Sequence, residues 1–436
     1  MSDRLRHLAE GLDKPLARRL ILGLFIAVAV TFTLVPFVRF LRSGTEMDYR
    51  TWFDAAQAVL RNRQIYPHSG MFPFMYPPAC ALLLAGAAAA GKPAMILILA
   101  LLNTIAWIFC IKFSVALATG ESRRFGTAIA LVSNAVVVVF IWSSYHLGQP
   151  SLVLLAVMLG AFACLRRDRE ILAGALIALA AGIKAFPLLA IIYLLYRRYW
   201  IATASLILCL AFLLFLLPIP IRGWQQTVAD FREWQRGMLH YDQAGIAQRA
   251  ARGYSWKNQS IWGLSNRLLR HVSAEDEGKP VTYANFADLN FEQVNAVIMM
   301  IALLFGISFV AVMPRVRRRQ IEPLEFGALL ILILMFTPLA FGYLFSWLML
   351  PLALLLHVLL RGEHARITAP LVLTATILLA ATAVAPRVMQ IYGSVLFAAL
   401  ALYVAIAAEL CGAQNARPVQ SCDNFRAGSA ETDGLR

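Results

Sequence analysis

Long runs of apolar residues, separated by short basic clusters, limit the fold of this chain more than any other feature. The runs lie near 20–37, 77–90, 94–118, 126–145, 149–165, 171–195, 201–221, 292–313, 325–341, 344–360, 367–385 and 390–410. Of 436 residues, 60% are hydrophobic and 14% are charged, against about 45–50% and about 25% in soluble proteins. The chain is therefore predicted to be an all-α, polytopic integral membrane protein. A soluble enzyme, a disordered chain and a transmembrane β-barrel are disfavoured.

Four arginine clusters between the runs predict the topology. They lie at 166–169, 197–198, 315–319 and 361–366. Basic residues collect in the cytoplasmic loops of membrane proteins, so we expect all four clusters and both termini in the cytoplasm. The net charge of +15 has the same explanation, and no nucleic-acid partner is predicted.

These assignments predict a cytoplasmic N-terminus over 1–19 and one transmembrane domain over 20–410, with a first helix that is not cleaved. Long outer loops are expected at about 38–76 and 222–291, and the tail 411–436 is expected to be cytoplasmic and disordered. The run 77–90 is short for a span and is bounded by proline and glycine. We expect it to form a partial or re-entrant helix, which gives 11 to 13 transmembrane or re-entrant helices in all.

The segment between Arg169 and Arg197 has a cytoplasmic cluster at each end. One straight helix cannot begin and end on the same side, so we expect two short helices that meet near Gly182, Lys184 and Pro187. Irregular backbone is tolerated in a membrane where it lines a polar cavity. An intramembrane lysine is costly and suggests a function; the alternative is a lysine that reaches out to the interface.

Polar and aromatic motifs concentrate in the segments expected outside. Asp48 begins an amphipathic helix of a length suited to the outer leaflet, and an N-cap is the alternative role for this aspartate. Tyr76 belongs to a Tyr-Pro-Pro motif that returns the chain to the membrane. The residues 146–151, His-Leu-Gly-Gln-Pro-Ser, join two helices. Asn258-Gln259-Ser260 formally matches a glycosylation acceptor, a frequent chance match that we discount.

Together these motifs resemble glycosyltransferase family 87. The resemblance runs over about 47–340 and rests on the order of its elements, which are the Asp48 opening, the Ile65-Tyr66-Pro67 and Tyr76-Pro77-Pro78 turns, Gly148-Gln149, Lys184 to Pro187, Asn258-Gln259-Ser260 and Thr337-Pro338. The family belongs to the GT-C superfamily of polytopic enzymes and includes polyprenol-phosphate-mannose-dependent mannosyltransferases of mycobacterial glycolipid synthesis. One departure concerns the late Ser-Pro element, which the family typically follows with a tryptophan and one or two histidines. Here Thr337-Pro338 leads to Tyr343 without a histidine.

The resemblance implies a hexosyltransferase of the cell envelope, with mannose as the expected sugar. The expected partners are a polyprenyl-phosphate sugar donor, a lipid or glycan acceptor and the lipids of the bacterial inner membrane, since nucleotide sugars are absent from its outer face. A single displacement with one base would invert the anomeric carbon. The six cysteines are scattered and no DxD pair is present, so no metal and no cofactor are expected.

Each part of this reaction suggests residues. The acceptor hydroxyl needs a general base, for which Asp48 is expected. The departing phosphate gains negative charge, which fixed cations stabilise; Lys184 is the first candidate, followed by Arg252 and Lys257. Residues expected to bind substrate are Tyr76, His146, Gln149, Asn258, Gln259 and Tyr343. Of these, His146 and Tyr343 are also the candidates to replace the missing histidine.

Two other functions stay open from the sequence. A transporter or lipid flippase would have the same hydropathy, but it predicts two related halves with matching intramembrane charges. This chain has one lysine at a break and two unequal outer loops. A catalytically degenerate family member would explain the missing histidine, and an acceptor-sized cavity lined by Asp48 and Lys184 would argue against it.

Overall fold

The computed structural model describes residues 2–66, 74–120, 122, 124–239, 253–276, 278–362 and 365–415, and in these residues all regular structure is helical. The α-helices are α1 (Ser2–Leu12), α2 (Pro15–Ser43), α3 (Tyr49–Leu60), α4 (Pro78–Ala89), α5 (Lys92–Thr119), α6 (Gly126–Leu147), α7 (Ser151–Leu165), α8 (Glu170–Ile183), α9 (Ala190–Tyr196), α10 (Trp200–Ala211), α11 (Ile219–Leu239), α12 (Ile261–Leu269), α13 (Phe291–Val312), α14 (Glu322–Phe336), α15 (Met349–Arg361), α16 (Thr368–Val384), α17 (Pro386–Ile391) and α18 (Ser394–Asn415). The 3₁₀ helices Phe186–Leu189 and Gly342–Leu348 lead into α9 and α15, and a π-helical turn, Phe212–Leu216, extends α10.

Many of these helices are apolar along their whole length. By length and composition, six described helices could cross a membrane, or seven if the pair Trp200–Leu216 and Ile219–Gly237, bent by 94°, is one span. Five shorter apolar helices, including α4, α7 and α8, accompany them. Together these segments fall within the expected 11 to 13. The chain is an all-α polytopic membrane protein, as the apolar runs predict.

The arginine clusters meet at one end of the helix bundle, called here the basic end. Arg317 and Arg319 both form ion pairs with Asp168. Arg197 donates a hydrogen bond to the Pro314 carbonyl at 2.8 Å and forms an ion pair with Glu325. Three of the four clusters therefore lie together, in agreement with the expectation that they share one side of the membrane.

The described ends of the chain lie at the basic end as well. Arg318 donates to the carbonyl of Ala413, near the end of α18, at 2.7 Å. Arg6 in α1 donates to the carbonyl of Leu360 at the end of α15, and Glu409 accepts hydrogen bonds from the Ala365 N–H and from the hydroxyl of Thr368, the first residue of α16. The first and last described helices are thus anchored beside the basic clusters.

The helix break predicted near Lys184 is confirmed. Helix α8 ends at Ile183, Lys184 is extended with φ −149° and ψ 128°, and Pro187 stands in the first turn of the next helical segment. The 14 residues of α8 carry the chain about 21 Å from the basic end, and α9 returns it to Arg197. Lys184 therefore occupies the tip of a helical hairpin inside the bundle.

The apolar side of the amphipathic helix α3 packs against protein, and its position at the outer leaflet stays a prediction. Its apolar side faces α4 and the turn before α4, and the Gln57 amide donates to the Ala88 carbonyl at 3.1 Å. Leu60 is 47% exposed. Helix α4 has only 12 residues, about 18 Å, in keeping with the predicted partial helix. The buried positions of α3 include Trp52, Ala55, Ala56 and Val59.

Candidate active site

Asp48 uses its side chain to contact a distant loop rather than to cap its own helix. It stands at the N-cap position of α3 but makes no side-chain capping hydrogen bond. Its Oδ2 instead accepts a hydrogen bond from Nε2 of Gln149 at 2.6 Å. This is the only hydrogen bond that a described residue makes to the half-buried carboxylate. The capping alternative is therefore not realised, and the carboxylate can accept a proton from another partner.

Tyr76 fixes the orientation of the Gln149 amide. The Tyr76 hydroxyl donates to Oε1 of Gln149 at 2.9 Å, so the amide nitrogen is directed towards Asp48. Burial, with additional contributions from Tyr343 and Asp48, raises the pKa of the Tyr76 phenol well above its usual value. The phenol therefore keeps its proton at neutral pH and acts as a donor.

Lys184 lies beside the ring of Tyr76. Its Nζ is 5.3 Å from the centre of the Tyr76 ring, 5.7 Å from that of Phe186 and 4.9 Å from that of Tyr343. It also donates to the Tyr343 hydroxyl at 3.2 Å. Aromatic rings attract a cation through their quadrupoles without adding a negative charge. These contacts therefore help to position the ammonium.

A contact between their chain neighbours, Tyr49 and Gly148, brings Asp48 to Gln149. Gly148 ends α6 in the left-handed region, with φ 75°, a common helix ending that favours glycine. The ring of Tyr49 lies against Gly148, and the Tyr49 hydroxyl donates to the Tyr145 carbonyl at 3.0 Å. Because Asp48 precedes Tyr49 and Gln149 follows Gly148, this contact places the carboxylate beside the amide.

Asn258 and Gln259 are bound to backbone groups and are fully buried. The Asn258 side chain donates to the Pro338 carbonyl at 2.9 Å and accepts from the Ala340 N–H at 3.0 Å. The Gln259 N–H donates to the Ala340 carbonyl at 2.8 Å. These bonds hold the turn that leads to Tyr343, so Asn258 and Gln259 stabilise the loop that positions Tyr343. Direct binding of substrate by their side chains stays a prediction.

Arg267 supports the same loop and was missed by the sequence analysis. It is 0% exposed, and its Nη1 donates to the carbonyls of Ser255 at 2.8 Å and Asn258 at 2.7 Å. Burial lowers the pKa of this guanidinium to about 9, so it is still charged at neutral pH. An arginine in a polar loop gives no sequence signal that it will be buried.

Three other predicted site residues are not joined to this group. The Nδ1 atom of His146 lies 2.9 Å from Nη1 of Arg39, whose Nη2 donates to the His146 carbonyl at 3.0 Å. Lys257 is about half exposed and forms an ion pair with Asp276. Arg252 lies outside the described residues. Of the two predicted cations that the structure describes, Lys184 contacts the group around Tyr76 and Lys257 does not.

The assembled group combines two chemical functions. The carboxylate of Asp48 can accept a proton, and the ammonium of Lys184 can stabilise an oxygen that gains negative charge. Tyr76 joins them, since its hydroxyl belongs to the first and its ring to the second. In the described parts of the chain, no group of three or more His, Cys, Asp and Glu could hold a metal ion.

Comparison with known proteins gives a match over most of this region. The family model of glycosyltransferase family 87 matches residues 74–342, more than half of the chain. A solved structure, that of ArnT from Cupriavidus metallidurans bound to undecaprenyl phosphate, is similar with a TM-score of 0.41 and 14% identity, covering 90% of this chain and 77% of that chain. No curated protein matches the sequence. The family match identifies the chain as a member of glycosyltransferase family 87.

Proposed function

We propose that this enzyme transfers a hexose, with mannose as the first candidate, from a polyprenyl-phosphate sugar to a lipid or glycan acceptor at the outer face of the cell membrane. Family membership supports glycosyl transfer. The observation that carries the proposal is that Tyr76 contacts both groups, since its hydroxyl bonds to the Gln149 amide that holds Asp48 and its ring lies beside Lys184.

Lys184 is assigned to the donor. The bond from the anomeric carbon to the phosphate oxygen breaks, and that oxygen keeps the electron pair. A preorganised ammonium stabilises the resulting charge more than it stabilises the ground state. With α8 of this length, Lys184 would lie about 21 Å from the basic end, across most of a hydrocarbon core about 30 Å thick. A phosphate on a lipid in the opposite leaflet can reach this depth, and a lysine there suits a lipid-linked donor.

Asp48 is assigned to the acceptor. Its carboxylate takes the proton of the attacking hydroxyl, whose oxygen bonds to the anomeric carbon opposite the departing phosphate. One displacement of this kind inverts the configuration. The carboxylate and the ammonium supply both charges that the step needs, and the proposal therefore includes no metal ion.

The site also bears on the two rival functions. Membership of a glycosyltransferase family favours an enzyme over a transporter. The family's late histidine is missing, but Tyr343, which follows Thr337-Pro338, contacts Lys184 through its hydroxyl. A polar side chain from this late segment thus reaches the proposed cation, which supports an active enzyme over a degenerate one.

The test is turnover by the purified protein in lipid nanodiscs. Polyprenyl-phosphate mannose, glucose and galactose are supplied one at a time with a panel of lipid and glycan acceptors, and products are identified by mass spectrometry. We expect one donor to be consumed, with release of polyprenyl phosphate that depends on the acceptor and a product of inverted configuration by NMR. Use of nucleotide sugars instead, or retention of configuration, would contradict the proposal.

A further inference from the structure

We infer that Gln149 and Tyr76 are positioning residues that hold the proposed base in a reactive orientation, rather than residues that bind substrate. This inference rests on the proposed role of Asp48. It departs from the sequence analysis, in which both were expected to contact substrate.

The burial of the three side chains separates their roles. Gln149 is 2% exposed and Tyr76 is 8% exposed, whereas Asp48 is only half-buried. Both polar ends of the Gln149 amide are occupied, Nε2 by Asp48 and Oε1 by Tyr76. A substrate hydroxyl that approaches this group therefore meets the carboxylate, and the amide and phenol lie behind it.

Gln149 is itself held by the backbone. Its N–H donates to the Ser144 carbonyl at 2.8 Å, and the Asn103 side chain donates to its carbonyl at 3.2 Å. The backbone of Gln149 is thus held by α5 and α6, and its side-chain amide is held by Tyr76 through Oε1.

A fixed amide determines which way the carboxylate turns. Its N–H holds Oδ2, so rotation of the Asp48 carboxylate is restricted and Oδ1 keeps one direction. Holding a catalytic group in a near-attack geometry removes an entropic part of the barrier, and a small misplacement can cost about a hundredfold in rate.

Tyr76 makes a selective test possible, because its hydroxyl contacts Gln149 and its ring contacts Lys184. Tyr76→Phe removes the hydroxyl that orients Gln149 and keeps the ring beside Lys184. Gln149→Met keeps the length of the side chain and removes both polar ends. Gln149→Glu places a second carboxylate against Asp48. All three variants leave Lys184 unchanged. They also leave unchanged the ion pair between Lys92 and Glu46, which lies two residues before Asp48 in the chain.

The experiment measures kcat and KM with the donor and acceptor that the turnover screen identifies. For Gln149→Met and Tyr76→Phe we expect kcat to fall by about tenfold to a hundredfold, with both KM values within about threefold of the parent. Gln149→Glu, which places a like charge against the Asp48 carboxylate, should lower kcat at least as much. A rise in KM with unchanged kcat would mean that these residues bind substrate, and would overturn the inference.

Double variants separate this inference from the proposed function. If Gln149 acts only through Asp48, adding Gln149→Met to Asp48→Asn should cause no further loss of rate. A further tenfold loss would overturn the inference and leave Asp48 as the base. Full activity of Asp48→Asn alone would overturn the proposed function itself. Thermal unfolding is measured for each variant, and if Gln149→Met fails to fold, Tyr76→Phe, which loses one oxygen atom, carries the test.

Discussion

The ring of Tyr49 covers Gly148 so closely that a Cβ atom on Gly148 would lie 2.8 Å from three of the ring carbons. The ring cannot easily move away, since Tyr49 is buried and its hydroxyl is bound to the Tyr145 carbonyl. The site therefore depends on the absence of a side chain at one residue that has no chemical role in it.

Gly148→Ala should lower both stability and activity. The left-handed backbone costs about 1–2 kcal/mol for a residue with a Cβ, and the clash displaces Tyr49 together with Asp48. We expect a lower melting temperature and at least a tenfold loss of turnover, as a small misplacement of a catalytic group can cost about a hundredfold. Gly86→Ala is the matched control, because a Cβ there meets no atom within 4 Å. Equal effects of the two substitutions would contradict the close packing.

Asp48→Asn should remove activity without unfolding the protein. Asparagine keeps the shape but cannot accept the proton, and loss of a general base typically costs about 10²–10⁴ in rate. We expect turnover at least about a hundredfold lower and an unchanged melting temperature. Asp54→Asn is the control, since Asp54 is 61% exposed in its ion pair with Arg50. Normal turnover with reduced stability would make Asp48 structural, and the base would then be sought at His146 or Tyr343.

Lys184→Met should impair use of the donor much more than folding. Removing one group that stabilises charge in the transition state costs about 10²–10³ in kcat, and Lys184→Arg should restore part of it. Lys112→Met in α5 is the control, because Lys112 also lies on a membrane helix beside an aromatic ring. If both methionine variants turn over normally, Lys184 is not the cation of the donor site.

Glu325→Leu should destabilise the protein without changing KM. It leaves Arg197, which is 5% exposed, without its carboxylate, and breaking a buried pair in this way costs about 3–5 kcal/mol. The pair lies at the basic end, one helix length from Lys184, so substrate binding should be unaffected in the folded fraction. Glu10→Gln, which removes an exposed pair with Arg124, should change the melting temperature little. A changed KM for the donor in Glu325→Leu would contradict this separation.

The membrane topology can be checked by labelling single cysteines in an otherwise cysteine-free chain. Ala55 and Asn258 lie in the expected outer segments but are buried, so exposed positions are needed. Arg50→Cys, on a side chain 73% exposed, should react with an impermeant reagent from outside the cell. Arg319→Cys, on a side chain 61% exposed, should react only after the membrane is permeabilised. The reverse pattern would overturn the predicted orientation.

The helix break at Lys184 could be predicted because all of its evidence lies within one continuous segment of the sequence. Basic clusters at both ends of one apolar run exclude a single crossing, and proline and glycine show where the run divides. The contact between Asp48 and Gln149 could not be predicted in this way. It joins residues 101 positions apart, and no sequence pattern within either outer loop indicates that the two loops meet.

The outer loop shows a second limit of the sequence. Asn258 and Gln259 are polar residues in a polar segment, where side chains are expected to face water or a ligand. The Asn258 side chain bonds to carbonyl and N–H groups of a turn about 80 residues away, and the Gln259 side chain donates to the carbonyls of Trp256 and Gln390. Whether a polar side chain binds solvent, ligand or backbone depends on what the fold places opposite it.

The contact of Asp48-Tyr49 with Gly148-Gln149 also has a consequence for biosynthesis. A chain that leaves the ribosome from its N-terminus delivers Asp48 to the membrane long before Gly148 and Gln149 have been made. The carboxylate acquires its orientation only when α6 has been inserted, and the hairpin that carries Lys184 follows two helices later. On the roles proposed above, a chain made only as far as α5 holds neither a directed base nor a cation for the phosphate, and a chain that ends before Lys184 still lacks the cation. Such chains are not expected to consume a lipid-linked sugar before the bundle is complete.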